Sequence, residues 1–147
     1  MSTTMQETTT LVRSLYSIFN NHNTDPAWLD KSVAHTADDF EIVDIPSGMV
    51  LRGKEGLKQF LSGWATAFPD SMVEITNMIV TENKVAVEFV GRGTHTGVLH
   101  SPAGDIAPTG KKIDVHFCDI HQIRNGIIAQ QHTYYDLMTM MRQLGLA

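Results

Sequence analysis

Apolar residues recur at two different spacings along the chain, and the change from one to the other falls near its middle. Leu11, Leu15, Ile18 and Phe19 repeat at helical spacing, and "NNHNTDPAW" closes that helix and opens another, with Asp25 placed as a cap and Pro26 at the first helical position. "DFEIVDI" (Asp39–Ile45) alternates as a strand, Pro46-Ser47-Gly48 turns it, and "MVLRG" returns beside it. Leu57, Phe60, Leu61, Trp64 and Phe68 form one apolar stripe on a third helix, predicted from Gly56 to the stop at Pro69.

Beyond Pro69 the period falls to two. "SMVEITNMIVTE", "KVAVEFVGRGTHTG", "KKIDVHFCDIHQI" and "IIAQQHTYY" are rich in β-branched and aromatic residues and predict long antiparallel strands. Asn83 with its neighbours and Asn125-Gly126 supply hairpin turns, "VLHSPAGDIAPTG" makes a longer crossover or flap, and Leu137, Met140, Met141 and Leu144 mark a short amphipathic C-terminal helix. Helices first and a meander afterwards predict an α+β fold with the helices on one face of a curved sheet.

The composition fits a single domain over residues 1–147, with residues 1–10 as a flexible lead, since 147 residues of which 42% are hydrophobic can bury a sizeable core. A formal net charge of -5 removes the basic footprint that nucleic-acid binding needs. The single cysteine, Cys118, cannot form an internal disulfide, no apolar run approaches the ~20 residues of a membrane span, and the first residues lack the apolar centre of a signal peptide. A cytoplasmic protein is therefore expected.

Several tempting motifs fail on spacing. "GDIAPTGKK" has five residues between Gly104 and Gly110 where a phosphate loop needs four, and no Ser or Thr follows its lysine. His116 and His121 are five apart on one predicted strand and point to opposite faces, so no metal site is expected. The more informative feature is the hairpin Ile113–Tyr135. The face carrying Ile113, Val115, Phe117, Asp119, His121 and Ile123 is the more apolar and should look inward, which would bury Asp119 and raise its pKa toward the range useful for proton transfer.

The residue opposite Asp119 depends on the turn. A two-residue Asn125-Gly126 loop pairs Arg124 with Ile127 and sets Asp119 opposite His132. A three-residue loop pairs Ile123 with Ile127, sets Asp119 opposite Gln131 and Phe117 opposite Thr133, and gives an inner row of Ile127, Ala129, Gln131, Thr133 and Tyr135. The second is preferred here because it brings two isoleucines together. A structural carboxylate at Asp119, a backbone-satisfying His95, Trp64 and Phe68 as plain core, Asp136 as an N-cap and Cys118 as packing or a dimer contact are the bland alternatives.

"GKEGLKQFLSGWATAFPD", "GRGTHTG" followed by "PTGKK", "DIHQIRNGII" and the terminal "YDLMTMMRQLGL" together resemble the SnoaL-like polyketide cyclases, also called ester cyclases, of the nuclear-transport-factor-two-like superfamily. The resemblance runs from about Leu11 onward. It implies a cone-shaped barrel, in which a strongly bent, mostly antiparallel sheet wraps around the N-terminal helices and encloses an apolar pocket, with a short C-terminal helix. It also implies a homodimer through the outer sheet face and metal-free, cofactor-independent aldol ring closure of a small hydrophobic or polyketide-like ligand. The family's acid/base aspartate falls at Thr133, its histidine at Gln131 and a common tryptophan at His132. Asp119 matches a polar pocket position, His95 the histidine of "GTHTG", and Phe19, Trp64 and Phe68 match pocket-lining helix positions.

The resulting expectation is an enzyme acting at carbon in an apolar pocket, with Asp119 as acid/base and His95 or His121 orienting it or polarising a carbonyl. Phe19, Trp64, Phe68, Phe117, Gln131, Thr133 and Tyr135 would hold the substrate. Isomerisation, dehydration or hydrolysis could use the same parts. A non-catalytic carrier of a hydrophobic ligand and a dimeric adaptor acting through the outer sheet are the readings from other classes.

Overall fold

The computed structural model describes residues 4–147. Helix α1 (Met5–Asn20) begins inside the stretch expected to be a flexible lead, because Thr4 caps it: its hydroxyl oxygen accepts from the Glu7 N–H at 3.1 Å, the Ser/Thr-x-x-Glu pattern of a helix start. The first three residues of that lead lie outside the described residues. A short α2 (Trp28–Ser32) follows, then β1 (Thr36–Asp44), β2 (Met49–Arg52), α3 (Gly53–Ala67), β3 (Met72–Val80), β4 (Lys84–Thr94), β5 (Lys112–Arg124), β6 (Ile127–Tyr135) and α4 (Leu137–Gln143). The third helix thus starts three residues earlier than its apolar stripe suggests.

The six strands form one sheet in the order β2-β1-β6-β5-β4-β3. All neighbours are antiparallel except β1 and β6, which run parallel. This makes the sheet mixed, an α+β arrangement with the helices gathered on its concave side. Register shifts interrupt β3 at Thr76, β6 at Ala129 and the β1–β6 pairing between Thr36 and Glu41. Each irregularity bends its strand and increases local twist, which is how a sheet curves far enough to enclose a core. Helix α1 packs on β3 and α3 on β1 and β2. The main core joins Val12, Tyr16, Phe40, Ile42, Phe60, Val87 and Phe89, while Phe68, Val115, Met140 and Leu144 form a second cluster under α4.

The hairpin β5–β6 corrects the preferred register. Its loop is the two-residue Asn125-Gly126, with φ of 53° and 74°, pairing Arg124 with Ile127. The unpaired Ala129 then shifts the pairing by one, so Gln122 faces Gln130 and Asp119 faces Thr133, neither His132 nor Gln131; Phe117 faces Tyr135. Ile128, 2% exposed, takes the inner place opposite Ile123, and Ile127 is 41% exposed. Since the bulge switches parity, Gln131 and Thr133 still point inward as expected, and both are buried.

Candidate active site

Three neighbouring strands deliver the site. Asp44 on β1 pairs with Thr133 on β6, and Thr133 pairs with Asp119 on β5, which places two buried carboxylates either side of one buried threonine. Asp119 is buried because it shares the inner face of β5 with Val115, Phe117 and Ile123, the alternation visible in the sequence. From the helical layer, Tyr16 reaches across: its hydroxyl donates to Asp119 Oδ2 at 2.7 Å and lies 2.8 Å from His121 Nε2. A phenol has one proton, so with that proton donated to Asp119 the histidine must donate from Nε2–H. His121 Nε2 itself is 4.0 Å from the carboxylate, so Tyr16 stands between the two. Gln131 donates to the Thr133 hydroxyl at 3.0 Å.

Two polar atoms of this cluster have no partner in the protein: Asp119 Oδ1 and His121 Nδ1. Burial pushes the Asp119 carboxyl up to about 6, against the opposing hydrogen bond from Tyr16 and the nearby polar groups of Thr133 and Gln131; the charge of Asp44 adds to the rise. Burial also takes His121 down to about 4, so its imidazole is neutral near pH 7, and it raises the Tyr16 phenol well above its ordinary value, helped by Asp119. The result is an ionised carboxylate, a protonated phenol and a neutral imidazole in one hydrogen-bonded row, with one carboxylate oxygen free to accept a proton.

The row lines a cavity of about 110 Å³ bounded by α1, α3 and the concave sheet face. Of the residues expected to hold a substrate, Phe19, Trp64, Phe68, Phe117, Gln131 and Thr133 line it together with Asp119 and His121. Phe117 lies flat on Phe89, with ring centroids 5.1 Å apart, and a side chain at Gly91 would collide with it: a Cβ there would stand 2.9 Å from its ring. Tyr135 lies instead on a neighbouring cleft, its hydroxyl donating to both oxygens of Asp44 at 3.1 and 3.0 Å.

His95, expected to orient Asp119 or polarise a carbonyl, does not line the Asp119 cavity. Its ring packs on Phe68, Nδ1 accepts from the Thr109 N–H, and its backbone bonds Lys111 and Gly110, so it fastens the crossover between β4 and β5. Burial lowers its pKa. Asp136 caps α4, accepting from the Thr139 N–H, and no group of three or more His, Cys, Asp or Glu among the described residues could hold a metal ion. Sequence reasoning missed Tyr16 and Asp44. Tyr16 had a signal in its spacing of four from Val12 and three from Phe19, the buried face of α1.

A family model, that of the SnoaL-like polyketide cyclases, matches residues 9–144. The chain belongs to this family. Among solved structures it is similar to a SnoaL-like polyketide cyclase, provisionally assigned, from Jannaschia sp. CCS1, at 19% identity and a TM-score of 0.79 over 97% of this chain and 93% of that one. IdmH from Streptomyces antibioticus, whose assignment as a polyketide cyclase is also provisional, is 26% identical with a TM-score of 0.69, over 91% of this chain and 95% of that one. A protein with a ketosteroid isomerase-like fold from Catenulispora acidiphila is 20% identical with a TM-score of 0.70, covering 90% of this chain and 93% of that one. No curated protein sequence matches the chain. In this chain Asp119 stands directly across one strand pairing from Thr133.

Proposed function

We propose that this SnoaL-like chain closes a ring in its substrate by an intramolecular aldol reaction, with Asp119 as the base. One observation carries the reading: a buried carboxylate lines an apolar cavity with one oxygen held by Tyr16 and the other without a partner. Thr133, the residue at the position matched to the family's aspartate, has a hydroxyl that cannot act as a base at neutral pH. A carboxylate near 6 is largely ionised there, while its basicity exceeds that of an exposed aspartate by about two pKa units.

In the proposed sequence, Asp119 Oδ1 takes a proton from a carbon next to a carbonyl, and the C–H electron pair becomes an enolate. The enolate carbon forms a bond to a second carbonyl carbon of the same molecule, whose oxygen receives the displaced electron pair. The proton on Asp119 then passes to that oxygen, restoring the carboxylate with no net oxidation. Gln131 has a second N–H beyond the one it gives to Thr133, a donor suited to oxygen where negative charge develops. His121, neutral and donating to Tyr16, keeps the Tyr16 O–H aimed at Asp119 Oδ2 and so leaves Oδ1 as the basic atom. IdmH's provisional cyclase assignment supports the same reading.

Solvent-deuterium exchange into the acidic carbon of ethyl acetoacetate tests the first step without the natural substrate. The wild-type chain should accelerate exchange above the uncatalysed background. Asp119→Asn should abolish that acceleration while far-ultraviolet circular dichroism stays unchanged, and equal exchange by the two proteins would remove Asp119 from the chemistry.

A further inference from the structure

A cleft of about 740 Å³ lies beside the Asp119 cavity, within the roughly 300–1,000 Å³ usual for small-molecule sites. It is walled by α3, the β1–β2 turn, α4 and the tip of the β4–β5 crossover, where Leu99 and Ile106 bridge each other through backbone bonds of 3.0 and 2.8 Å. Phe60 and Trp64 line both cavities, so the cleft and the Asp119 cavity share an aromatic wall.

Two features make the cleft more than leftover space. On its floor sits Asp44, 3% exposed, whose oxygens share the single Tyr135 hydroxyl proton; Oδ1 also accepts from the Ser47 N–H at 3.2 Å. A carboxylate offers about four acceptor positions, and these two donors leave room for another at Asp44. The other feature is Gly63, in the middle of α3 and on the cleft wall. A Cβ there would meet nothing within 4 Å and its φ is not positive, so neither crowding nor backbone conformation requires glycine. A helix-interior glycine costs about 1 kcal/mol relative to alanine. The chain gives up that stability where a side chain would project into the cleft.

We propose that this cleft binds the body of an apolar ligand carrying a hydroxyl or enol group, with that group donating to Asp44 and the flat body lying along Gly63 and Trp64. The apolar walls, including the adaptable side chains of Met49, Met140 and Met141, suit such a body. The inference rests on the Asp119 reading in one respect: the same substrate would send its reacting carbon past Trp64 into the smaller cavity, which is too small for the whole of a polycyclic molecule.

The chain has two tryptophans, so Trp28→Phe leaves Trp64 as the only one and its fluorescence reports binding. In that background 2-naphthol should quench Trp64. Gly63→Leu should weaken its binding at least tenfold with the melting temperature unchanged or raised. Asp44→Asn should weaken 2-naphthol about tenfold and leave 2-methoxynaphthalene, which has no donor, unaffected; that second probe also shows that the variant is folded. Asp119→Asn should bind 2-naphthol as the parent does. Absence of quenching in the parent, undiminished binding by Gly63→Leu, or equal loss of both probes in Asp44→Asn would overturn the assignment. Exchange chemistry that fails while naphthol binding behaves as stated would instead sink the Asp119 reading and leave the cleft standing.

Discussion

At Asp119 two different effects oppose each other: burial raises the carboxyl to about 6, and the Tyr16 hydroxyl, with smaller help from Thr133 and Gln131, favours the ionised form. Removing that hydroxyl with Tyr16→Phe should therefore raise Asp119 further and move the rising limb of a pH–rate profile upward by about one unit, with a smaller maximal rate change than Asp119→Asn produces. An unmoved limb would mean that Tyr16 does not govern this carboxylate. Asp119 itself was legible in the sequence, because alternation alone places it among inward-facing Val115, Phe117 and Ile123. Tyr16 was hidden for the opposite reason: on a helix its polar tip rides on an aromatic body that reads as core. Asp44 closes a strand just before a Pro-Ser-Gly turn, where an aspartate ordinarily signals turn chemistry, and only the parallel pairing with β6 shows that it is buried beside Thr133.

The element that decides the geometry is the β5–β6 hairpin, and its register was only partly readable. Asn125-Gly126 announces a two-residue turn, yet the bulge at Ala129, on a strand that lies between β5 and β1, carries no glycine or turn residue to mark it in the sequence. The two isoleucines separate the alternatives in the laboratory. Ile128→Ala should cost about 2–4 kcal/mol in urea unfolding because Ile128 fills the inner place opposite Ile123, whereas Ile127→Ala should cost about 1 kcal/mol or less. The reverse order would restore the register that pairs Ile123 with Ile127.

Across the whole molecule, helical stripes concentrated before Pro69 and long alternating strands after it were enough to indicate the fold class, although β1 and β2 precede that point and α4 follows it. The parallel contact between the first strand and the last was not, since partners as distant in sequence as Asp44 and Thr133 leave no local signature; it is this contact that joins Asp44 to the Asp119 side of the sheet. Burial of the site also links to global stability. Asp119 keeps its proton longer in the folded state, so between about pH 4 and 6 its contribution falls as pH rises, by roughly 3 kcal/mol. His121, lowered to about 4, binds fewer protons when folded, so its contribution rises by roughly 3 kcal/mol between about pH 4 and 6.5. The two oppose each other in the wild type. Asp119→Asn should unmask a stability that climbs with pH over that interval, and His121→Gln one that falls, both readable by urea unfolding at a series of pH values; parallel profiles in all three proteins would contradict the opposed burial of the pair. The most direct test of the central claim is the pH dependence of deuterium exchange into ethyl acetoacetate after subtraction of the uncatalysed rate. The account predicts a rising limb with its midpoint near pH 6 that disappears in Asp119→Asn, and a limb that survives that substitution would contradict it.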